Sequence, residues 1–192
     1  MQEKKHVHYK LHKPYGYLSQ FVNNQTKRKN KKLLGELFNF SEGTMAIGRL
    51  DETSEGLLLL TTDGKVSTHI TSNKIEKEYY VMVDGIISEE AIILLQDGVN
   101  ISVNSKAYTT KPCKAFALSD FKNYPIVERF VRDERHGPTS WISITITEGK
   151  FRQVRKMTAA VGFATLRLVR VRIGDQKLDL NVGEVKEIEH LV

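Results

Sequence analysis

The sequence predicts an α+β fold with a largely antiparallel sheet. Segments 77–85 ("KEYYVMVDG") and 141–147 ("WISITIT") alternate as half-buried strands. Segments 88–99 and 151–162 read as helices, yet they do not alternate with the strands in a regular βαβ order. The run Leu57–Leu60 reads as a strand buried in the interior.

The elements follow in order. "HVHYKLH" (6–12) alternates as a strand and ends in the turn "KPYG" (13–16). A basic loop follows, then a short amphipathic segment, "KLLGELF" (32–38). "TMAIGRL" (44–50) is a second strand and "GLLLLT" (56–61) a third. "TDG" (62–64) is a turn that opens a short helix through "KVSTHIT". "SEEAIILLQDGV" (88–99) has Ser88 as its N-cap and closes near Gly98. Several short strands fill 99–119, and 123–140 is a charged loop region. In "FRQVRKMTAAVG" (151–162), Val154, Met157 and Val161 share one helical face, and Gly162 sits where a left-handed cap is wanted. "TLRLVRVRI" (165–173) alternates apolar residues with arginine, as a strand with one wet, basic face would. No internal repeat or linker divides the chain, so 1–192 reads as one unit.

Its 192 residues suffice for one substantial core or two small lobes sharing one. No stretch approaches the roughly 20 apolar residues of a membrane span. "MQEKKHVHYK" lacks the apolar core of a secretory signal. The single cysteine, Cys113, has no internal partner, and a reducing cytoplasm is the expected location. A monomer is the expected state. The net charge of +6 and pI near 9.3 favour a polyanionic partner. The positive charge is grouped in "TKRKNKK" (26–32), in Lys150, Arg152, Arg155 and Lys156, and in Arg167, Arg170 and Arg172. Each run alone reads equally as a solvated face; together they suggest one phosphate-binding surface. His6 and His8 lie on one side of a strand without further ligands at metal spacing, so no metal is expected.

"GRLDETSEGLLLLTTDG" (48–64) sets Arg49 and Asp51 directly ahead of the buried leucines. Charges drawn toward an interior are costly unless paired or used. Asp51 is then either a loop aspartate bonding its own backbone, as in an Asx-turn, or a carboxylate presented from a cleft floor. Glu52 and Glu55 could complete a carboxylate pair, though nothing in the spacing selects one.

"GRLD" with "TSEGLLLLTTDG" resembles the central motif of the pseudouridine synthases, in the branch that modifies single ribosomal RNA uridines. "KPYG" (13–16), "KEYYV" (77–81), and "EGKFRQVRKM" (148–157) with "VGFATLRLVRVRIGD" (161–175) resemble that branch's other motifs in order. With "PTSW" (138–141), the likeness is to enzymes acting on large-subunit (23S) rRNA near the peptidyl-transferase region.

The resemblance implies two α+β lobes around a continuous mixed sheet, roughly 1–75 and 76–192, with the active-site cleft between them. It implies isomerisation of uridine to pseudouridine with neither metal nor organic cofactor. Asp51 matches the catalytic aspartate, acting as nucleophile or base. Arg49 matches the arginine that expels the target base. Tyr79 matches the tyrosine that stacks on the uracil, and Arg155 the basic partner of the aspartate. Two hydrogen bonds from the Arg155 guanidinium to that carboxylate are expected. Lys13, Lys77, Lys150, Arg152 and Gln153 are further expected substrate contacts. Many relatives carry a small RNA-binding module ahead of the catalytic part; with a strand at residue 6, none is expected here. The partner implied is ribosomal RNA, either naked or in a partly assembled large subunit. A non-catalytic RNA-binding assembly factor and a hydrolytic carboxylate enzyme are the alternatives.

Overall fold

The structure, a computed structural model, describes residues 6–24, 30–72, 74–119 and 124–191. Residues 26–29 of the first basic run therefore lie outside the described residues. The elements are β1 (His8–Lys13), β2 (Met45–Ile47), β3 (Glu55–Thr61), α1 (Gly64–Thr71), β4 (Lys77–Asp84), α2 (Glu89–Asp97), β5 (Asn100–Val103), β6 (Lys106–Thr109), β7 (Lys114–Leu118), β8 (Thr139–Ile146), α3 (Gln153–Ala160), β9 (Thr165–Ile173), β10 (Gln176–Lys177) and β11 (Val185–Ile188). "KLLGELF" contributes only a single 3-10 turn, Leu34–Glu36.

Nine strands form one mixed sheet in the order β11-β1-β3-β9-β4-β8-β7, with β2 beside β3 and β10 beside β9. β5 and β6 form a separate hairpin. β3 and β9 pair in parallel, whereas the other strand pairs are antiparallel. This parallel contact joins the sheet half built on β1 and β3 to the half built on β4 and β8. It spans only Glu55 opposite Val169 and Gly56 opposite Arg170. Gly56 is required there, at φ +101: a Cβ would stand 2.3 Å from the Arg170 carbonyl oxygen. The missing side chain lets the two halves close into one sheet.

Leu57–Leu60 are all fully buried because β3 is covered on both faces. Leu57 and Leu59 enter a cluster with Ile70, Tyr80, Val169 and Val171. Leu58 and Leu60 pack with Tyr9, Leu11 and Leu34 on the other side. The third cluster lies where α2 and α3 cover β4 and β8, and Val154 and Met157 enter it as their spacing predicted. Ser88 caps α2 by accepting from Ala91 N, and Gly162 (φ +92) follows α3.

β9 departs from its expectation of one wet, basic face. It lies mid-sheet, where Arg167 and Arg170 are buried. Arg167 shares its strand parity with Val169, not with the other two arginines, and forks onto Glu55 through Nε (2.7 Å) and Nη2 (3.1 Å). Arg172 binds Glu78 and Glu76, each at 2.9 Å. Arg167 and Arg172 are neutralised by carboxylates and Arg170 is enclosed, so the phosphate surface expected of them is not there.

Candidate active site

Asp51 sits in the loop that enters β3, and several parts of the chain hold that loop. Ser19 Oγ donates to Leu50 O (2.9 Å) and accepts from Leu50 N (3.1 Å). Gly16 N, from the "KPYG" turn, donates to Glu52 O at 2.8 Å. Lys31 Nζ reaches both Glu52 carboxylate oxygens, the longer bond at 2.6 Å. Ser54 N closes the turn onto Asp51 O at 3.1 Å. A leucine strand buried on both faces follows directly, so the loop has a rigid base.

Around Asp51 opens a cleft of about 630 Å³. Arg49, Asp51, Lys77, Tyr79, Lys150 and Arg152 all line it, with Arg170. The Asp51 side chain is 27% exposed, open to a ligand yet bounded by charge. Arg152 Nη1 donates to Asp51 Oδ2 at 2.9 Å. Arg152 does so from a left-handed conformation (φ 52, ψ 34) at the N-terminus of α3, unusual for a residue with a side chain.

Arg155 does not form the expected fork. Its Nε lies 3.7 Å from Asp51 Oδ2, while Nη2 donates to Thr53 O (2.9 Å) and Ser54 Oγ (3.2 Å). One turn further along α3, it reaches past the carboxylate to the loop backbone. Burial first, and then the charge of Arg152, lower the Arg155 pKa, with Asp51 opposing them.

Tyr79 and Tyr80 point to opposite faces, as strand alternation requires. Tyr80 is core, edge-on to Tyr124 with ring centroids 5.3 Å apart. Tyr79 lines the cleft with part of its surface exposed. Arg49 is exposed at the rim.

Two of the expected substrate contacts are internal supports. Lys13 is fully buried, and its Nζ donates to Pro14 O (2.9 Å) and Tyr17 O (2.6 Å), closing the turn. Burial lowers its pKa to about 8. Gln153 is buried too: Nε2 donates to Glu148 Oε1 at 2.6 Å, and its Oε1 accepts from Lys150 N at 2.9 Å. It fixes the loop carrying Lys150 without reaching the cleft itself. Lys77 does line the cleft, but its ammonium is shared between Ser72 O and Thr147 O, each at 3.1 Å, and burial lowers its pKa to about 8. Lys150 stays exposed, 5.1 Å above the Tyr108 ring.

Sequence reasoning missed Ser19, Arg170 and the Glu55–Arg167 pair. Ser19 carries no local signal. The arginines could be assigned only by knowing that β9 is central.

The family model described as RNA pseudouridylate synthase matches residues 7–160. "Ribosomal large subunit pseudouridine synthase E" of Xanthomonas axonopodis pv. citri is 42% identical over 171 residues, covering 88% of this chain and 86% of that protein. The protein of the same name from Vibrio parahaemolyticus is 40% identical over 186 residues, covering 93% and 72%. A crystal structure of a pseudouridylate synthase superposes with a TM-score of 0.75 at 28% identity, covering 98% of this chain and 72% of that one.

Proposed function

The chain belongs to the RNA pseudouridylate synthase family, and from that premise we propose that it converts one uridine of 23S rRNA, near the peptidyl-transferase region, to pseudouridine. The observation that carries this reading is the meeting of Asp51, Tyr79 and Arg152 in one cleft beside the exposed Arg49.

A uridine within folded RNA reaches such a cleft only by leaving its stack, at a cost of a few kcal/mol. The Arg49 guanidinium enters the vacated space and stacks on the neighbouring bases. Tyr79 receives the uracil on its ring face, a contact worth about 1–3 kcal/mol. Asp51 then acts, as nucleophile or base, with Arg152 orienting its carboxylate. The bond from C1′ to N1 breaks, the uracil turns, and C5 joins C1′. C5 gives up its proton and N1 regains one, so atoms balance without metal or cofactor. Lys150 contacts backbone phosphate.

In this reading the chain acts as a monomer. The substrate is 23S rRNA, either free or within a partly assembled large subunit, and the setting is the cytoplasm. Incubating the purified chain with 23S rRNA and with subunit precursors, then mapping pseudouridine, tests the reading. One new pseudouridine, absent with Asp51→Asn, is expected. No modification of either substrate would overturn it in favour of a non-catalytic binder.

A further inference from the structure

Arg170 is a buried charge that the chemistry above leaves unused. It lies at one of two adjacent register points, with Val169, where three strands meet: opposite Gly56 in the parallel β3·β9 contact, and opposite Tyr79 in the antiparallel β4·β9 ladder. Directly opposed residues on one face of a sheet have Cβ atoms about 4.5–5.5 Å apart, so Tyr79 and Arg170 stand side by side in the cleft. The guanidinium donates from Nε to Leu57 O and from Nη1 to Gly48 O, both at 2.8 Å. Those carbonyls lie on either side of the Asp51 loop. The remaining nitrogen, Nη2, is buried without a hydrogen-bond partner.

A guanidinium that is 3% exposed carries a large desolvation cost. A chain that needed only to tie two carbonyls together could do so without a charge. The free nitrogen is the informative one. Tyr79, opposed to Arg170 across the β4·β9 ladder and lining the same cleft, is the phenol within reach on this donor's face of the sheet.

We propose that Arg170 is the positioning residue of this active site, fixing the Asp51 loop through Gly48 and Leu57 while holding the Tyr79 hydroxyl through Nη2. One rigid planar group thereby sets the distance between the carboxylate that starts the reaction and the ring that receives the uracil. The inference rests on the isomerase reading and deepens it. Rigid planarity is the property that counts, because lysine keeps the charge but cannot bridge three acceptors in one plane.

The test compares the parent, Arg170→Lys, Tyr79→Phe and the double variant, using single-turnover pseudouridine formation at saturating rRNA, RNA affinity and urea unfolding. Arg170→Lys is expected to slow the chemical step about 100-fold, as a misplacement of about 1 Å does, with RNA affinity unchanged. In the Tyr79→Phe background the same change is expected to cost far less, because the hydroxyl that Nη2 holds is already gone. If Arg170→Lys does not fold, Arg170→Met replaces it, since removing the charge also removes its burial cost. Turnover in the folded variant within about twofold of the parent would overturn the proposal, as would effects that simply multiply with Tyr79→Phe. An inactive parent would instead bring down the isomerase reading, and this one with it.

Discussion

Arg152 donates to Oδ2 of Asp51 over 2.9 Å from a backbone in the left-handed region. The Nε of Arg155 stands 3.7 Å from the same oxygen. The two arginines divide the work: Arg152 holds the carboxylate, and Arg155 holds the loop backbone behind it. With side chains 27% and 40% exposed, the Asp51–Arg152 pair contributes only about 0.2–1 kcal/mol to stability. The contact fixes where that oxygen stands in the cleft.

Asp51→Asn is therefore expected to fold with parent-like stability, bind RNA as the parent does, and make no pseudouridine. The amide preserves shape and most packing while removing the anion. The check is pseudouridine formation on the same transcript alongside thermal unfolding. Turnover by the purified variant above trace levels would remove Asp51 from the chemistry.

The two arginines are expected to separate under mutation. Arg152→Ala should lower turnover strongly while leaving stability within about 1 kcal/mol. Arg155→Ala strips partners from Thr53 O and Ser54 Oγ, and should cost about 1–3 kcal/mol. A double-mutant cycle on urea unfolding is expected to couple Arg155→Ala to Asp51→Asn only weakly, at about 0.5 kcal/mol, because Nε stands 3.7 Å from the carboxylate without a hydrogen bond to it. Strong coupling would restore a direct Arg155–Asp51 pair.

Glu55 and Arg167 form a bidentate pair with both side chains 5% exposed. Breaking it with Glu55→Ala leaves an uncompensated guanidinium in the sheet and should cost about 3–5 kcal/mol. Adding Arg167→Met should restore much of that loss. Equal instability of the single and double variants would show that the pair matters through packing alone.

Much of this architecture was legible because its signals are local. Leu57–Leu60, the alternation through Tyr79–Val83 and the caps at Ser88 and Gly162 need only neighbouring residues, and the elements formed where those signals stood. The misread residues depend on distant partners. Arg167 meets Glu55 across 112 positions and Arg170 meets Leu57 across 113. A strand of alternating arginines looks solvated until its place mid-sheet is known. Lys13 and Gln153 failed similarly: their positions in the motifs are right, but each polar end turns inward to close a turn. The place of Asp51 in the cleft, by contrast, was legible through its motif, whereas its bonded partner Arg152 depended on a backbone conformation that no periodicity reports.

Lys13 makes stability depend on alkaline pH. Its pKa is about 8 in the folded chain against the ordinary 10.5, so between those values the unfolded chain binds a proton that the folded chain does not. Stability therefore rises with pH across that window, and the charge penalty is fully present below pH 8. Measured as the difference between the parent and Lys13→Met, the gain should total about 3 kcal/mol from pH 7 to 11. A difference that stays flat with pH would mean that Lys13 ionises as an exposed lysine does.

The electrostatics of RNA binding follow from which cations are free. Arg167 and Arg172 are engaged with carboxylates, Arg170 is enclosed, Lys31 is bound to Glu52, and Arg152 to Asp51. Among the described residues, Arg49 and Lys150 at the cleft and Lys32 stay exposed with no carboxylate bound, joined in sequence by Lys27, Arg28 and Lys29 of the first basic run. If these six each neutralise one phosphate, log affinity should fall against log salt with a slope of about −4, using the single-strand value per contact. Substituting Lys27, Arg28 and Lys29 together with glutamine should bring the slope to about −2. Phosphate contacts position RNA without entering the reaction, so turnover at saturating RNA should be unchanged. Titrations of a labelled rRNA fragment at several salt concentrations, with parent and triple variant, provide the check. An unchanged slope would return the 26–32 run to an ordinary solvated face and leave binding to the cleft cations alone.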